Sequence, residues 1–250
     1  MQVKRRNMNI VCTIQARIRS IRLPGKVMLP IMGRPMLELM IERLRRVKQI
    51  NAVVVATTTD RSCDIIETLA SRLGVGCYRG SEEDVLDRVL QASRAAQADL
   101  IVETTGDCPV IDPEVIDRVL DTFLASQADY CSNILERTYP RGMDVQVFPL
   151  AVLEQVATLT HDPVDHEHVS LYIYRHPERF RLLNVSSDLS PEAAQLRLTV
   201  DTQDDFELIK RIYEHLYHDK PDFGLSDILE LCRRHPELPA LNQHVQQKVV

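Results

Sequence analysis

The residues best suited to chemistry are four basic side chains in one short segment, QARIRSIRLPGKVML at 15–29. They are Arg17, Arg19, Arg22 and Lys26, and they surround the pair Pro24-Gly25. A glycine after proline allows a tight turn whose backbone N–H groups converge on an anion, and nearby arginine and lysine side chains neutralise a polyphosphate. The alternative is a solvated loop with scattered charge. The segment has neither the G-x-x-x-x-G-K-S/T pattern of a P-loop nor the G-x-G-x-x-G pattern of a dinucleotide-binding loop.

The overall charge of the chain limits what this basic segment can bind. The formal net charge is −6 and the pI is about 5.8. Binding to nucleic acid depends on a broad basic surface, and the sequence contains none. We therefore expect no nucleic-acid partner and interpret the basic segment as a local feature.

Two aspartates follow apolar runs that are typical of buried strands. Asp107 lies in TTGDCP (104–109), and Asp201 follows LRLTV. Ligands of open α/β sheets bind outside the carboxyl ends of the strands, and Mg²⁺ takes one or two carboxylates together with phosphate oxygens. Both residues are therefore candidate metal ligands. The alternative is helix capping, because Asp201 and Asp204 precede one predicted helix and Asp112 precedes another.

Three histidines lie close together in HDPVDHEHV (161–169). His166 and His168 are two positions apart, so they do not share a helix face, and a zinc site of the H-E-x-x-H type is disfavoured. We expect structural or substrate-contacting roles for His161, His166 and His168. No Ser-His-Asp or Cys-His arrangement is indicated.

The elements that must position these residues follow from the hydrophobic pattern. Runs typical of strands lie at 10–14, 52–58, 75–79, 99–104, 129–134, 144–148, 180–185 and 196–200. Helical patterns lie at 35–47, 64–73, 83–96, 112–125, 164–176, 204–216 and 224–234. This alternation predicts a doubly wound α/β fold, with a mostly parallel sheet flanked by helices.

The chain length of 250 residues suits one large domain, which we place at 9–250 after a loose leader at 1–8. The rhythm of strands and helices changes after residue 126. We interpret 129–190 as an α+β insertion and expect 196–216 to return to the main sheet.

Six cysteines are widely spaced, without a C-x-x-C pair. This spacing favours a reducing compartment and disfavours a disulfide framework or a zinc site. The apolar run at 10–14 is too short for a signal peptide or a membrane span. We therefore expect a cytoplasmic protein with no membrane partner.

Several motifs resemble those of one enzyme family. IQARIRSIRLPGKVML is similar to the nucleotide-binding signature of the cytidylyltransferases that make CMP-activated acidic sugars. Further motifs resemble the branch of that family named after the spore coat polysaccharide biosynthesis protein SpsF. They are RGSEEDVLDRVLQAS (79–93), TTGDCPVIDPEVID (104–117), YPRGMDVQVF (139–148), DHEHVSLYIYRHPERF (165–180) and LTVDTQDDFELI (198–209).

This resemblance implies a Rossmann-like, GT-A-like nucleotidyltransferase fold and a Mg²⁺-dependent reaction. A sugar hydroxyl would attack the α-phosphate of CTP, and pyrophosphate would leave. The resemblance also implies a homodimer with 129–190 as the contact and acceptor-binding region, and a role in polysaccharide or glycan biosynthesis.

The resemblance assigns roles to individual residues by motif. The catalytic residues would be Lys26, Arg17 and Asp107; the nucleotide-binding residues Gln15, Ala16, Arg17, Arg22, Gly25, Lys26, Ser81 and Asp84; the acceptor-binding residues Arg141 and Asp144; and the metal ligands Asp107 and Asp201.

Two positions depart from the pattern of the related sequences. Glu103 stands where they often have a basic residue, and Gln146 stands where they often have glutamate. Other readings remain open: a transferase using another nucleotide, a glycosyltransferase, or a non-catalytic nucleotide-binding protein. The absence of D-x-D after the strand disfavours a glycosyltransferase. The presence of Asp107 and Asp201 together with Lys26 disfavours a non-catalytic protein.

Overall fold

The computed structural model describes residues 8–247, and its strands form one large sheet and one small hairpin. The strands are β1 (Ile10–Gln15), β2 (Pro30–Ile31), β3 (Arg34–Pro35), β4 (Ala52–Thr58), β5 (Gly76–Gly80), β6 (Leu100–Thr105), β7 (Tyr130–Ser132), β8 (Gln146–Pro149) and β9 (Leu182–Asn184). The large sheet has seven strands in the order β5-β4-β1-β6-β8-β7-β9. Strand β8 runs antiparallel to β6 and β7, whereas the other neighbours are parallel.

Helices cover both faces of this sheet. They are α1 (Met36–Leu44), α2 (Asp64–Leu73), α3 (Val85–Ala95), α4 (Pro113–Leu124), α5 (Leu150–Leu159), α6 (Pro163–Glu167), α7 (Leu171–Arg175), α8 (Pro191–Ala194), α9 (Gln203–Leu216), α10 (Leu225–Arg234) and α11 (Glu237–Ala240). Among the described residues, none of these helices is long and apolar enough to cross a membrane.

Two apolar cores explain why the strands are hydrophobic throughout their length. Alternate residues of β1 point to opposite faces, so Cys12 and Ile14 pack with α1, α2, α4, α9 and α10, whereas Val11 packs with α3, α5 and α7. A sheet buried on both faces needs near-continuous apolar strands. The prediction of a doubly wound, mostly parallel α/β fold is confirmed.

The prediction of a strand at 196–200 was wrong. This run forms only one isolated bridge, between Arg141 and Arg197, and it does not return to the large sheet. Its apolar residues Leu198 and Val200 are fully buried in the larger core, which explains the strand-like pattern. Burial alone therefore produced the signal that we interpreted as sheet pairing.

Two further differences from the sequence analysis concern helices. The predicted helix at 164–176 is broken into α6 and α7, and Val169 between them has φ of 39°. A β-branched residue in the left-handed region interrupts a helix. Helix α5 was not predicted, and it directly follows β8.

The segment 129–190 does not form a separate layer. Its three strands, β7 to β9, continue the large sheet beyond β6. Of the leader predicted at 1–8, only Met8 lies within the described residues, and it is exposed. The roles that we predicted for 129–190 in acceptor binding and in a dimer contact stay predictions.

Candidate active site

The carboxyl ends of β1 and β6 lie side by side, since Gln15 is paired in register with Thr105. A cavity of about 340 Å³ opens beyond them. This strand-end pocket, as we call it below, is lined by Gln15, Ala16, Arg17, Ser20, Ile21, Arg22, Leu23, Lys26, Val27, Val85, Arg88, Thr105, Gly106, Asp107, Glu167, His168, Asp201 and Gln247. The basic segment, Asp107 and Asp201 are therefore brought together at one edge of the sheet.

Lys26 lies between the two aspartates. Its Nζ donates to Asp107 Oδ2 at 3.0 Å, to Asp201 Oδ1 at 2.9 Å and to the carbonyl oxygen of Val200 at 2.7 Å. Burial disfavours the ammonium, but the charges of Asp107 and Asp201 outweigh that effect and raise the pKa of Lys26. The pocket thus holds a permanent cation between two carboxylates.

The turn before Lys26 fixes this position. Gly25 has φ of 73°, which glycine adopts without strain, and a 3₁₀ turn runs from Lys26 to Met28. The N–H of Gly25 donates to the carbonyl of Ile18 at 2.8 Å, and the N–H of Lys26 donates to the carbonyl of Leu23 at 3.3 Å. These two N–H groups are hydrogen-bonded within the loop and are therefore not free to bind an anion. The positive charge of the pocket comes from side chains instead.

Each aspartate is held by additional donors. Asp107 Oδ1 accepts from the hydroxyl of Thr105 at 2.5 Å. Asp201 Oδ1 is 3.0 Å from the Arg22 guanidinium, and Asp201 Oδ2 accepts from Arg197 at 2.7 Å. Burial opposes ionisation of Asp201, but Lys26, Arg22 and Arg197 together lower its pKa. Asp201 is therefore ionised at neutral pH.

Arg197 and the residues around it explain why Asp201 is in place. Arg197 donates to Asp205, which is fully buried, through Nε at 2.9 Å. Asp205 also caps the start of α9 together with Thr202. Asp201 itself is not the N-cap, which removes the capping alternative for this residue. Asp112, in contrast, does cap α4.

The donor set around Lys26 fits a divalent cation in its chemistry. Among residues 8–247, no group of three or more His, Cys, Asp or Glu side chains is arranged to hold a metal ion. Asp107 and Asp201 nevertheless present two carboxylates to one ammonium in the wall of the pocket. Mg²⁺ commonly uses one or two carboxylates and completes its shell with phosphate oxygens and water.

Ser81 and Asp84 are not among the described residues that line the strand-end pocket. The Ser81 hydroxyl accepts from the N–H of Asp84 at 3.0 Å, and Asp84 caps α3. Asp84 Oδ1 also lies 2.9 Å from His166 Nδ1. The two residues thus fix the start of α3, which supplies Val85 and Arg88 to the pocket wall.

His166 links α6 to the start of α3. Its Nε2 lies 3.1 Å from the carbonyl oxygen of Thr160, and its Nδ1 faces Asp84. Burial opposes protonation, but Asp84 and the Thr160 carbonyl outweigh it and raise the pKa of His166. Both ring nitrogens face acceptors, so the charged imidazolium satisfies this site best. His168 lines the pocket, and His161 is exposed.

The two predicted acceptor residues have different surroundings. Asp144 is bound by the Arg137 guanidinium through two hydrogen bonds of 2.7 and 3.1 Å. Arg141 instead lines a second cavity of about 460 Å³. Neither Arg141 nor Asp144 is among the described residues lining the strand-end pocket.

Sequence reasoning missed several residues that line or support the pocket. Arg88 is almost fully buried on α3 and donates to the carbonyl of Ser81. Glu167 and Gln247 come from distant segments. Arg88 lies within the RGSEEDVLDRVLQAS motif. The one sequence signal for its role is the spacing of three residues from Val85, which places both side chains on the same face of the helix.

A fully buried carboxyl lies beside the pocket. Glu103, in the middle of β6, accepts from Gln15 Nε2 at 2.5 Å through Oε1, while its Oε2 has no hydrogen-bond partner among the described residues. Burial raises the pKa of Glu103 to about 8. Gln146 is its partner in register on β8, so both departures from the related sequences lie at one point of the sheet.

Solved structures that share this architecture include nucleotidyltransferases. A cytidylyltransferase from Leptospira borgpetersenii serovar Hardjo-bovis superimposes with a TM-score of 0.88 at 33% identity, covering 97% of this chain and 100% of that one. A CMP:2-keto-3-deoxy-manno-octonic acid synthetase complexed with CTP shares the fold, with a TM-score of 0.62 at 21% identity, covering 82% of this chain and 98% of that one. The fold is thus Rossmann-like and typical of nucleotidyltransferases.

Sequence comparison narrows this class. The cytidylyltransferase family profile matches residues 11–228. The spore coat polysaccharide biosynthesis protein SpsF of Bacillus subtilis (strain 168) is 33% identical over 234 residues, 92% of this chain and 96% of that protein. The 3-deoxy-manno-octulosonate cytidylyltransferase of Pelobacter propionicus is 37% identical over 111 residues, 44% of this chain and 42% of that enzyme. The chain belongs to the cytidylyltransferase family, which confirms the resemblance found in its motifs.

Proposed function

We propose that this protein transfers CMP from CTP to a hydroxyl of an acidic sugar and releases pyrophosphate. One observation carries the proposal: the Lys26 ammonium lies between Asp107 and Asp201 in the wall of a pocket that Arg17 and Arg22 also line. This arrangement supplies cations for a triphosphate and carboxylates for a metal ion. Membership of the cytidylyltransferase family supports CTP as the nucleotide.

The reaction requires positioning more than covalent chemistry from the protein. The acceptor hydroxyl loses its proton to solvent as its oxygen forms a bond to the α-phosphorus of CTP. The bond between that phosphorus and the oxygen that bridges to the β-phosphate breaks, and pyrophosphate leaves with the electron pair of that bond. Arg17, Arg22 and Lys26 would hold the triphosphate and stabilise the charge that develops on the leaving group. Gln15, Ala16 and Gly25 would border the nucleotide through β1 and the turn that follows it.

Asp107 and Asp201 would hold Mg²⁺. When bound, the ion would neutralise phosphate charge and orient the triphosphate. The chain's own contribution is to hold the two carboxylates beside one another, through Thr105 on Asp107 and Arg197 on Asp201. Lys26 already occupies the space between them as a cation, so it is well placed to follow a phosphate when the nucleotide binds.

A homodimer and a role in polysaccharide or glycan biosynthesis belong to the same proposal. The similarity to the SpsF protein along 92% of this chain supports the pathway assignment. Sedimentation velocity at several concentrations tests the dimer, since a dimer gives twice the mass of the 28.6 kDa chain.

The test of the function is pyrophosphate release with Mg²⁺ across CTP, UTP, GTP and ATP, against a panel of sugar acids. CTP-dependent release with one acid supports the proposal and identifies the acceptor. Release that prefers another nucleotide contradicts the assignment to CTP. Asp107→Asn is the matched variant, because it keeps the size of the side chain but removes the charge. It should lose turnover while its melting temperature stays close to that of the wild type.

A further inference from the structure

We propose that Glu103 is a positioning residue that sets the nucleobase preference of the strand-end pocket. It holds the side-chain amide of Gln15 by its nitrogen, so that the amide oxygen is left to accept a hydrogen bond from a base that carries an exocyclic amino group. This inference rests on the proposed function, because it concerns how the same pocket selects its nucleotide. The resemblance to related sequences does not supply it, since glutamate at position 103 departs from their pattern.

Glu103 and Gln15 lie on the same face of the sheet. Gln15 ends β1 and is paired in register with Thr105, and Glu103 is two residues before that partner on β6, so its side chain points to the same side. Gln15 Nε2 donates to Glu103 Oε1 at 2.5 Å. Gln15 lines the strand-end pocket, whereas only 2% of Glu103 is exposed. The contact therefore turns the nitrogen end of the amide toward the interior of the protein.

The two ends of the Gln15 amide have different surroundings. Its nitrogen is held by Glu103, and among residues 8–247 no donor reaches its oxygen. An amide carries its nitrogen and its oxygen on the same carbon but in different directions, so the oxygen is directed away from Glu103. Gln15 is only partly buried and borders the pocket, so this oxygen is accessible to a ligand. The wall of the pocket thus presents a hydrogen-bond acceptor at the end of β1.

Gln15 is the hydrogen-bond partner that the structure gives to Glu103. Among the described residues, Glu103 Oε2 has no hydrogen-bond partner and no cation pairs with the carboxyl. The two neighbours in register do not bond to it: the hydroxyl of Thr13 on β1 has no partner in the described part of the chain, and Gln146 on β8 accepts from two hydroxyl groups instead. A buried carboxyl without an ion pair costs stability. We therefore attribute the presence of Glu103 to the placement of the Gln15 side chain.

The contact between Glu103 and Gln15 does not require an ionised carboxyl. Burial raises the pKa of Glu103 to about 8, so the carboxyl is neutral at pH 7. A neutral carboxyl still offers one acceptor oxygen, and Oε1 fills that role while the proton is on Oε2. The surroundings of the Gln15 amide therefore gain no negative charge from Glu103 that would repel a nucleotide.

An accepting oxygen in the pocket wall discriminates between pyrimidines. Cytosine carries an amino group at the position where uracil carries a carbonyl oxygen. The amino group donates to the Gln15 oxygen, whereas the carbonyl of uracil would place two acceptor oxygens against each other and leave both unpaired. Release of the Gln15 amide from Glu103 allows the amide to rotate and to donate its nitrogen to uracil. Loss of Glu103 should therefore reduce the preference for CTP over UTP.

The first experiment measures dissociation constants for CTP and UTP by isothermal titration calorimetry, with Mg²⁺ and without an acceptor. The wild type should bind CTP more tightly than UTP. Glu103→Leu should reduce the ratio of the two dissociation constants about tenfold, since the amide of Gln15 is then free to rotate. Glu103→Gln should restore most of the ratio, because its amide oxygen accepts from Gln15. Glu178→Leu, at an exposed position, is the control and should leave the ratio unchanged.

A role of Glu103 in folding alone predicts a different result. It would change the affinity for both nucleotides by the same factor, so an unchanged ratio in Glu103→Leu would overturn the proposal. Equal affinities of the wild type for CTP and UTP would overturn it as well.

The second experiment tests whether Glu103 acts through Gln15. Gln15→Met should lower the ratio as much as Glu103→Leu does, and the double variant should lower it no further. Additive losses would contradict the proposal, because the two side chains would then act independently. Neither experiment needs turnover. If no sugar acid supports pyrophosphate release but the ratio responds as expected, this inference stands while the proposed reaction fails. Release from CTP, together with a ratio that Glu103→Leu leaves unchanged, would support the reaction and contradict the role of Glu103.

Discussion

Lys26 Nζ lies 2.9 Å from Asp201 Oδ1, although the two residues are 175 positions apart in the sequence. The lysine follows the first strand of the sheet, and the aspartate precedes the helix α9 near the other end of the domain. Their ion pair joins the two halves of the candidate site. The side chains proposed for the triphosphate and for the metal ion are thus held in contact before any ligand arrives.

Replacing Lys26 tests this relationship directly. Lys26→Met should reduce pyrophosphate release about 10²- to 10³-fold, because a cation aimed at the developing phosphate charge is removed. It should also leave Asp107 and Asp201 facing each other without the ammonium. Mg²⁺ should then raise the melting temperature of this variant more than that of the wild type.

Lys210→Met is the control for this pair of measurements, since Lys210 is a surface residue that lies 3.8 Å from Glu214. It should behave like the wild type in both. Full turnover by the Lys26→Met variant would show that Lys26 does not contribute to the reaction.

The raised pKa of Glu103 should make the stability of the protein depend on pH. Its folded pKa of about 8 lies above the ordinary value of 4.5, so between these values the folded state binds more protons than the unfolded state. The free energy of unfolding should therefore fall as pH rises, by about 1.4 kcal/mol per pH unit in that window. Urea unfolding of the wild type and of Glu103→Gln from pH 5 to 8 measures the difference, which should grow with pH in favour of the variant.

Glu178→Gln, at an exposed position, should show no such difference. A difference between the wild type and Glu103→Gln that is flat with pH would mean that Glu103 is not neutral in the folded protein.

The link between His166 and Asp84 acts in the same direction as Glu103, because it too stabilises the folded state more at low pH. The raised pKa of His166 means that its contribution is complete below about 6.5, the ordinary value, and is lost as pH rises through the folded value. His166→Asn should cost about 1 kcal/mol near pH 6 and progressively less at higher pH. His218→Asn, whose side chain is 88% exposed, is the control. A cost that increases with pH would contradict the imidazolium assignment.

Gly142 gives a test of backbone packing. It has φ of 98°, and a Cβ there would lie 2.5 Å from the carbonyl carbon and oxygen of Leu198. Gly142→Ala should destabilise the protein by more than about 2 kcal/mol, measured by urea unfolding. Gly33→Ala is a matched control, since Gly33 has φ of 78° but no atom near the added Cβ. Equal costs for the two variants would show that close packing against Leu198 is not the cause.

The alternating strands and helices of the core were predicted well, because there the hydrophobic pattern of each segment agrees with the burial of its residues. The strand at 52–58 and the helix at 64–73 were predicted with the bounds that the structure has, and Gly74 ends that helix in the left-handed conformation as expected. Elsewhere, a buried apolar run did not form a strand of the sheet. The run at 196–200 is as buried as a strand but pairs through one bridge, because it packs against the turn at Arg141 instead of a neighbouring strand.

The candidate site was predictable only where its residues follow strands. Asp107 and Lys26 come soon after β6 and β1, so the rule for open α/β sheets placed them together. Arg88 reaches the first cavity from α3, Arg197 reaches the second from the bridged run at 196–200, and Gln247 reaches both from the C-terminal segment. No local pattern encodes which side chain of such an element faces a distant pocket. The family motif also grouped Arg141 with Asp144, but in the structure Asp144 forms its ion pair with Arg137.

The position of Gln247 has a practical consequence for protein production. This residue contributes to the walls of both cavities. A tag or label attached at this position would therefore lie beside the chemistry that an assay is meant to measure. Kinetic work on this member of the family should use protein in which residue 247 carries no such addition.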